Sequence, residues 1–405
     1  MSSRLPIIFI VMTVVIDAMG IGLIMPVMPD LIQEVQGVGI SDAAIWGGIL
    51  AASFAAMQFL FGPFLGNLSD RYGRRPVLLI SLTVMALDYI VMALAGSIWL
   101  LLAGRIVGGI TAATHSTASA YMADISTPDQ KAKNFGLIGA GFGIGFVLGP
   151  ALGGMLAEFG TRAPFFAAAA LAGANVILGY FVLKETVTDE IRRPFRWKRA
   201  NPLGAFAAVS KLPNLGALLL VFFFYQVSAY VYPAIWSYFT AEAFGWSVSM
   251  IGISLAVFGI FYAASQALLV QPLINRFGYR GTVIFGLGLE IFAMLFIGLV
   301  PSGMLILAFT PIAALASIGL PALQGIMSRV VPDDAQGELQ GVLTSVAAIG
   351  MVISPLVMNQ TFAFFTRDSA PIYLPGASFL LAAVLMAIAI VIFTWRSASQ
   401  ATQNA

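Results

Sequence analysis

Apolar residues run through this chain in long stretches, and clusters of charged or turn-forming residues interrupt them. A helix that crosses a bilayer needs about 20 such residues. Marking runs of that length between the interruptions gives twelve spans: Leu5–Met28, Ala44–Leu65, Val77–Leu94, Ile98–Met122, Phe135–Ala157, Pro164–Leu183, Leu215–Thr240, Val248–Ile274, Thr282–Val300, Met304–Ser328, Leu339–Phe364 and Tyr373–Trp395. The first run is longer than the apolar region of a cleaved signal peptide. No small-x-small site closes it, so it reads as span one.

Composition points the same way. The chain is 60% hydrophobic and 9% charged, whereas soluble domains are about a quarter charged. So much apolar surface calls for lipid as the solvent. There is no cysteine, which excludes disulfides and thiolate metal sites, and a single histidine excludes a His-rich metal centre. No cofactor is expected. A nucleophile–base pairing and a nucleotide loop are missing as well, so the reading is not an enzyme, and nothing suggests a nucleic-acid partner.

The distribution of charge sets the expected orientation. With the N-terminus inside, Arg162 and Arg367 fall outside and Arg105 falls within a span; every other Lys and Arg, Arg4, Lys211 and Arg396 among them, lies on inner loops. That asymmetry predicts that both termini are cytoplasmic. The longest polar stretch, 184–213, then separates an N-terminal six-helix bundle, 1–183, from a C-terminal one, 214–405.

The two halves are related. A shift of 205 residues, the distance from Gly73 to Gly278, lays Asp70-Arg71-Tyr72-Gly73-Arg74-Arg75 on Asn275-Arg276-Phe277-Gly278-Tyr279-Arg280. The same shift lays Gly136 on Gly341, Gly145 on Gly350 and Pro150 on Pro355. Parallel six-span repeats with a site at their interface are a design for alternating access.

The loop Gly66-Asn67-Leu68-Ser69-Asp70-Arg71-Tyr72-Gly73-Arg74-Arg75-Pro76 resembles the signature loop of the major facilitator superfamily. Its glycines permit a tight turn; Asp70 is expected to accept from helix N-terminal amides, and Arg71 and Arg74 to bridge to acids. Gating is the role expected of this loop. The second copy is degraded, with Asn275 for the acid and Gln271 for the first glycine. In span five, Gly145-Phe146-Val147-Leu148-Gly149-Pro150-Ala151-Leu152-Gly153-Gly154 is similar to the fifth-helix motif of drug/proton antiporters. It offers small residues four apart and a proline, so Gly149 and Pro150 join the gating set. Arg105-Ile106-Val107-Gly108-Gly109 resembles the arginine motif of the same antiporters. A charge at mid-bilayer costs about 2.5–3.5 kcal/mol on insertion scales, so Arg105 needs an ion-pair partner or a function.

Three acids fall within spans: Asp17, Asp88 and Glu290. At about 1.5 Å per residue all three sit near the midplane, with Arg105 roughly level with Asp17. Each is either a satisfied helix–helix hydrogen bond or, near a cation, part of a proton switch. Gln58 and Gln226 are candidates to hydrogen-bond a substrate. Tyr262 and Gln324 are further candidates to bind a substrate, and Asn175 is another polar residue at span depth. His115, deep in span four among Thr114, Ser116 and Thr117, is either structural or a substrate contact. Span seven is dense in aromatic residues, a subset of which could line a planar-ligand site.

Closer resemblance runs through most of the chain. Asp17-Ala18-Met19-Gly20-Ile21-Gly22-Leu23-Ile24-Met25-Pro26, Gly104-Arg105-Ile106-Val107-Gly108-Gly109-Ile110-Thr111, Ala163-Pro164-Phe165-Phe166-Ala167-Ala168-Ala169-Ala170-Leu171 and Gly319-Leu320-Pro321-Ala322-Leu323-Gln324 are similar to the tetracycline/proton antiporters of Gram-negative bacteria. The resemblance implies an all-α membrane protein of twelve helices in two pseudo-symmetric bundles, in the bacterial inner membrane and as a monomer. It also implies efflux of a tetracycline–divalent metal chelate, a cation such as magnesium travelling with the drug, in exchange for a proton. Proton coupling would fall to Asp17, Glu290, Asp88 and Arg105. The chain departs from that family at Tyr262, where the family has a coupling histidine, at Glu290, where it has aspartate, and at His115, where it has a small residue. Tyr262 does not titrate near neutral pH, although its hydroxyl could donate to Glu290. The alternative is a facilitator for another amphipathic drug or metabolite.

Overall fold

The computed structural model describes residues 5–127, 129–205, 215–332 and 335–403. Arg4, Lys211 and linker residues 206–213 lie outside the described residues, as do the side chains of Lys198, Arg199 and Arg396. Among the described residues twelve helices are long and apolar enough to cross a membrane, from Leu5–Ile24 to Ala377–Trp395. Several outrun the apolar core. Span two is helical over Ile40–Tyr72 and span eleven over Gln336–Thr366, because polar ends continue a helix once its apolar middle is in place.

Connections are short where sequence chemistry stops a helix. Between spans two and three one residue is non-helical, Gly73, at φ 113°. Its repeat counterpart Gly278 stands at φ 68°. Both are conformations an L side chain resists. Ser97 opens span four, its hydroxyl accepting from Trp99 N at 3.2 Å, and its counterpart Ser302 opens span ten.

Among the described residues four spans are interrupted, span eight at Leu269 near its end and three others in mid-course. Span four is Ile98–Thr111 then Thr114–Ile125. Span seven is Gly216–Ala229 then Val231–Phe244. Span ten is Gly303–Ala316 then Gly319–Val330. The breaks in spans four and ten, at Ala112 and Ser317, are separated by the same shift as the glycine turns. The repeat read from sequence is thus a repeat of helix starts, turns and interruptions.

The chain divides into two compact units that do not follow the linker alone. Unit 1 is Met1–Val38, Ser53–Pro202 and Ser247–Ala256; unit 2 is Gly39–Ala52, Leu203–Trp246 and Val257–Ala405. Unit 1 has an apolar core around Phe9, Ile10, Val14, Leu78, Leu82 and Tyr121, and the Thr13 hydroxyl donates to Asn175 Oδ1 at 3.1 Å beside it. Span five lies against span one along Gly141, Gly145, Gly149 and Gly153. A Cβ at Gly149 would come 2.6 Å from Met19 O and 2.8 Å from Gly22 Cα. These glycines are a groove cut for a neighbouring backbone. The first turns of span eight also dock in unit 1, Ser249 Oγ bonding Gly154 O at 3.0 Å and Glu158 Oε1 at 2.8 Å. In unit 2 the first turns of span two make the corresponding contact on span eleven, where Asn359 Nδ2 donates to Ala44 O at 2.9 Å.

Candidate functional site

The loop between spans two and three is an ordered network of charges. Arg74 is its hub: the guanidinium donates to Asp70 Oδ1 at 2.5 Å, Ser69 Oγ at 2.7 Å and Asp124 Oδ2 at 3.2 Å. Asp70 therefore binds a guanidinium rather than helix amides. Glu185, at the end of span six, takes the amide role: its carboxylate accepts from Arg74 N at 2.9 Å and Arg75 N at 3.2 Å. Sequence reading missed this residue, although an acid just past a span end is a signal for such a cap. Gly73 is where the loop passes Glu185, and a Cβ there would collide with the carboxylate. Gly66 supplies a carbonyl to Ser69 Oγ at 2.8 Å, and the exposed Arg71 stacks over the Tyr72 ring. The start of the linker is tied to the same loop, with Asn67 Nδ2 donating to Arg196 O at 2.8 Å and Arg193 N to Asp70 O at 3.2 Å.

In unit 2 the counterpart positions carry different chemistry. Arg329, the counterpart of Asp124, stacks over the ring of Tyr279, the counterpart of Arg74, 4.0 Å from its centroid. Asn275 accepts from Gln271 Nε2 at 2.8 Å. A cation–π stack stands where unit 1 has an ion pair.

Within the spans of unit 1, Arg105 forms an ion pair with Asp88 and lies over the Phe54 ring, 4.9 Å from its centroid. Both partners are buried, Asp88 4% and Arg105 8% exposed. The glycines of span four explain the fit: a Cβ at Gly104 would come 2.6 Å from Asp88 Oδ1, and one at Gly108 2.9 Å from Oδ2. Gly104 and Gly108 leave the space that the carboxylate fills. The arginine expected level with Asp17 is thus committed to Asp88. Asp17 itself is half-buried. Thr114, the first residue of the second half of span four, faces its carboxyl, yet Asp17 Oδ1 and Thr114 Oγ1 have no hydrogen-bond partner among the described residues. A single Arg105 cannot neutralise two carboxylates equally, and Asp17 is the one left over.

Gln58 is half-buried, and its Nε2 donates to Ala112 O at the break of span four, 3.4 Å away. His115 is exposed, its ring 5.8 Å from that of Phe142, which stacks on Phe146 at 6.1 Å. This is an open aromatic face rather than a packed interior.

In unit 2, Glu290 is 3% exposed, and its Oε2 has no hydrogen-bond partner among the described residues. Tyr225, Tyr232 and Tyr262 are near enough to feel its charge. Among the described residues no hydrogen bond joins the Tyr262 hydroxyl, expected to donate, to Glu290, whose Oε2 has no partner. Tyr262 stacks on Phe258 at 6.1 Å, and Phe258 on Tyr232 at 5.6 Å. Tyr232, Trp236 and Phe239 pack around Phe379, so much of the aromatic content of span seven is core. Gln226 is buried against span eleven, where a Cβ at Gly350 would come 2.9 Å from its own Cβ. Gln324 is half-buried on the second half of span ten.

Each unit therefore holds one intramembrane carboxylate without a counter-charge, on a scaffold of twelve spans built as two repeats. That is the construction of a secondary transporter. The family pattern of the Major Facilitator Superfamily matches residues 10–233 and 217–405. The tetracycline resistance protein, class C, of Escherichia coli is 42% identical over 363 residues, covering 90% of this chain and 91% of that one. The class G protein of Vibrio anguillarum is 40% identical, covering 84% and 86%. Among solved structures, a bacterial homolog of the human lysosomal transporter Spinster shares the fold at TM-score 0.78 and 19% identity, covering 96% of this chain and 95% of that one. The chain belongs to the Major Facilitator Superfamily and, within it, to the tetracycline resistance proteins.

Proposed function

We propose that this chain exports tetracycline, as a chelate with a divalent cation, in exchange for protons, and that it does so from the bacterial inner membrane with both termini in the cytoplasm. The observation that carries the reading is the pair of uncompensated carboxyls, Asp17 and Glu290, each presenting a buried oxygen with no partner among the described residues. A carboxylate in that setting costs several kcal/mol unless a proton or a cationic cargo neutralises it. Exchange between those two states is what antiport requires. The Asp88–Arg105 pair holds spans three and four together. His115, Tyr262 and Gln324, accessible to different degrees on their own units, contact the drug, and the metal ion is part of the cargo rather than a resident cofactor. Tetracycline as the cargo rests on the resistance proteins this chain resembles, and the orientation on the bias of Lys and Arg toward one set of loops.

The test is uptake of labelled tetracycline into inverted vesicles, driven by an inward-acid gradient, across pH 5 to 9. Wild type is expected to take up drug only with the gradient and magnesium present, and Glu290→Gln to flatten the pH dependence. Equilibrative flux without a gradient would replace the reading with a facilitator. Gradient-driven uptake of another amphipathic drug but not tetracycline would change the cargo. An unchanged pH profile in Glu290→Gln would remove Glu290 from the proton path.

A further inference from the structure

Breaking a helix inside a membrane strands carbonyls that neither water nor lipid can satisfy, so something in the protein must bond them. At the break of span four, Ala112 O accepts from Gln58 Nε2 of span two at 3.4 Å. At the break of span ten, Ser317 O, which also accepts from Leu320 N at 3.4 Å, accepts from Gln266 Nε2 of span eight at 3.4 Å, with Ser317 Oγ accepting from the same nitrogen at 3.3 Å. Ala112 and Ser317 are repeat counterparts. The two glutamines are not, since the repeat shift lays Gln58 on Ala263, three residues before Gln266; each nonetheless occupies the same place counted from the first residue of its helix, Ile40 and Val248. The bond is present in both copies, although their acids have diverged: the counterpart of Asp17 is Phe222, and that of Glu290 is Met85.

What each bond fixes is the start of a half-helix. In unit 1 the half-helix begins at Thr114, which faces Asp17. In unit 2 it begins at Gly319, whose backbone N would lie 2.6 Å from a Cβ on Gly286, one turn before Glu290 on span nine. Both bonds are long by the usual standard for N–H···O, so they hold the break in register at a small cost of release. We propose that Gln58 and Gln266 are a matched pair of positioning residues: they bond the carbonyls at the breaks of spans four and ten, and thereby set where each half-helix begins relative to its carboxyl. Gln58 is then a brace within its unit rather than a contact to the drug. The proposal rests on the proton-carrying reading of Asp17 and Glu290 for its functional consequence, but not for its structural one.

The experiment separates the two. Purified full-length protein carrying Gln58→Met or Gln266→Met, which keep side-chain length and lose the donor, is compared with wild type by hydrogen exchange and mass spectrometry. Losing a bond of this kind is expected to speed amide exchange up to about tenfold: in residues 113–117 for Gln58→Met and 318–322 for Gln266→Met, with distant spans unchanged. Gln58→Asn and Gln266→Asn, whose amide falls about 1.5 Å short, give the same local pattern and serve if a Met variant does not fold. In proteoliposomes the variants are expected to keep the KM for tetracycline, lose turnover and shift the pH midpoint of transport. Exchange that stays at the wild-type rate in both stretches, or rises equally throughout the protein, overturns the proposal. A wild type that shows no proton-driven tetracycline transport, while local exchange still responds, overturns the functional reading alone. A raised KM with unchanged turnover and unchanged exchange returns Gln58 to the drug-contacting set and also overturns the proposal.

Discussion

Replacing Asp88 with asparagine keeps the size of the side chain and removes its charge, which leaves Arg105 in the spans without a counter-ion. The two partners are 4% and 8% exposed, so solvent offers little compensation. The carboxylate fills the space that Gly104 and Gly108 leave, where an added Cβ would come 2.6 and 2.9 Å from its oxygens. Breaking a buried pair from one side costs about 3–5 kcal/mol. The Phe54 ring beneath the guanidinium recovers about 0.5–2 kcal/mol of cation–π attraction in either case and so does not change the difference. Asp88→Asn is therefore expected to lower unfolding stability by about 3 kcal/mol. The double change Asp88→Leu with Arg105→Met, which removes both charges, should recover most of that loss. The assay is equilibrium unfolding of purified protein in mixed micelles, with gradient-driven uptake measured on the same variants. A loss below about 1 kcal/mol for Asp88→Asn, or a double variant no more stable than the single one, would refute the reasoning. A stable double variant that binds drug but cannot couple would move the pair from holding helices to carrying protons.

Asp17→Asn is expected to abolish gradient-driven uptake while expression stays normal; wild-type uptake by that variant would end its assignment. Asp70→Asn removes one of the acids on Arg74 but leaves Asp124 at 3.2 Å and Ser69 at 2.7 Å. Turnover should therefore fall about fivefold at most, with drug affinity unchanged, and a large loss of affinity at normal turnover would contradict this. Gly145→Ala puts a methyl against Val15 O and 2.9 Å from Ala18 Cβ. It should cost about 1–3 kcal/mol of stability in the same unfolding assay, and an unaltered unfolding midpoint would show that span five can back away from span one.

The twelve spans were legible because lipid imposes a length on every apolar run, and the repeat because glycine turns and prolines recur at one shift. Pairings across spans were not. Height estimates placed Arg105 beside Asp17 as readily as beside Asp88, and only the space left by Gly104 and Gly108 decides between them. Nor were the helix breaks visible, since Ala112 and Ala113 look like ordinary helix formers and carry no turn signal. Gln266 was passed over for the same reason: a glutamine on an apolar helix has no meaning until the carbonyl it bonds is known to lie at a helix break. Glu185 was hidden by belonging to the linker in sequence while acting on the first turn of span three in space.

The divergence of the two glycine-turn loops has a consequence for ionic strength. In unit 1 the Arg74 hub is an exchange of full charges at a part-exposed site, and dissolved salt screens such attractions within about 10 Å at 0.1 M. In unit 2 the Arg329 guanidinium rests on the face of Tyr279 at 4.0 Å, an attraction between a cation and a ring quadrupole that involves no anionic partner. Raising potassium chloride on that side of the membrane therefore loosens one repeat and leaves its counterpart close to unchanged. Two copies of one ancestral turn have become unequal electrolytic sensors, and the salinity of the compartment they face decides how unequal they are.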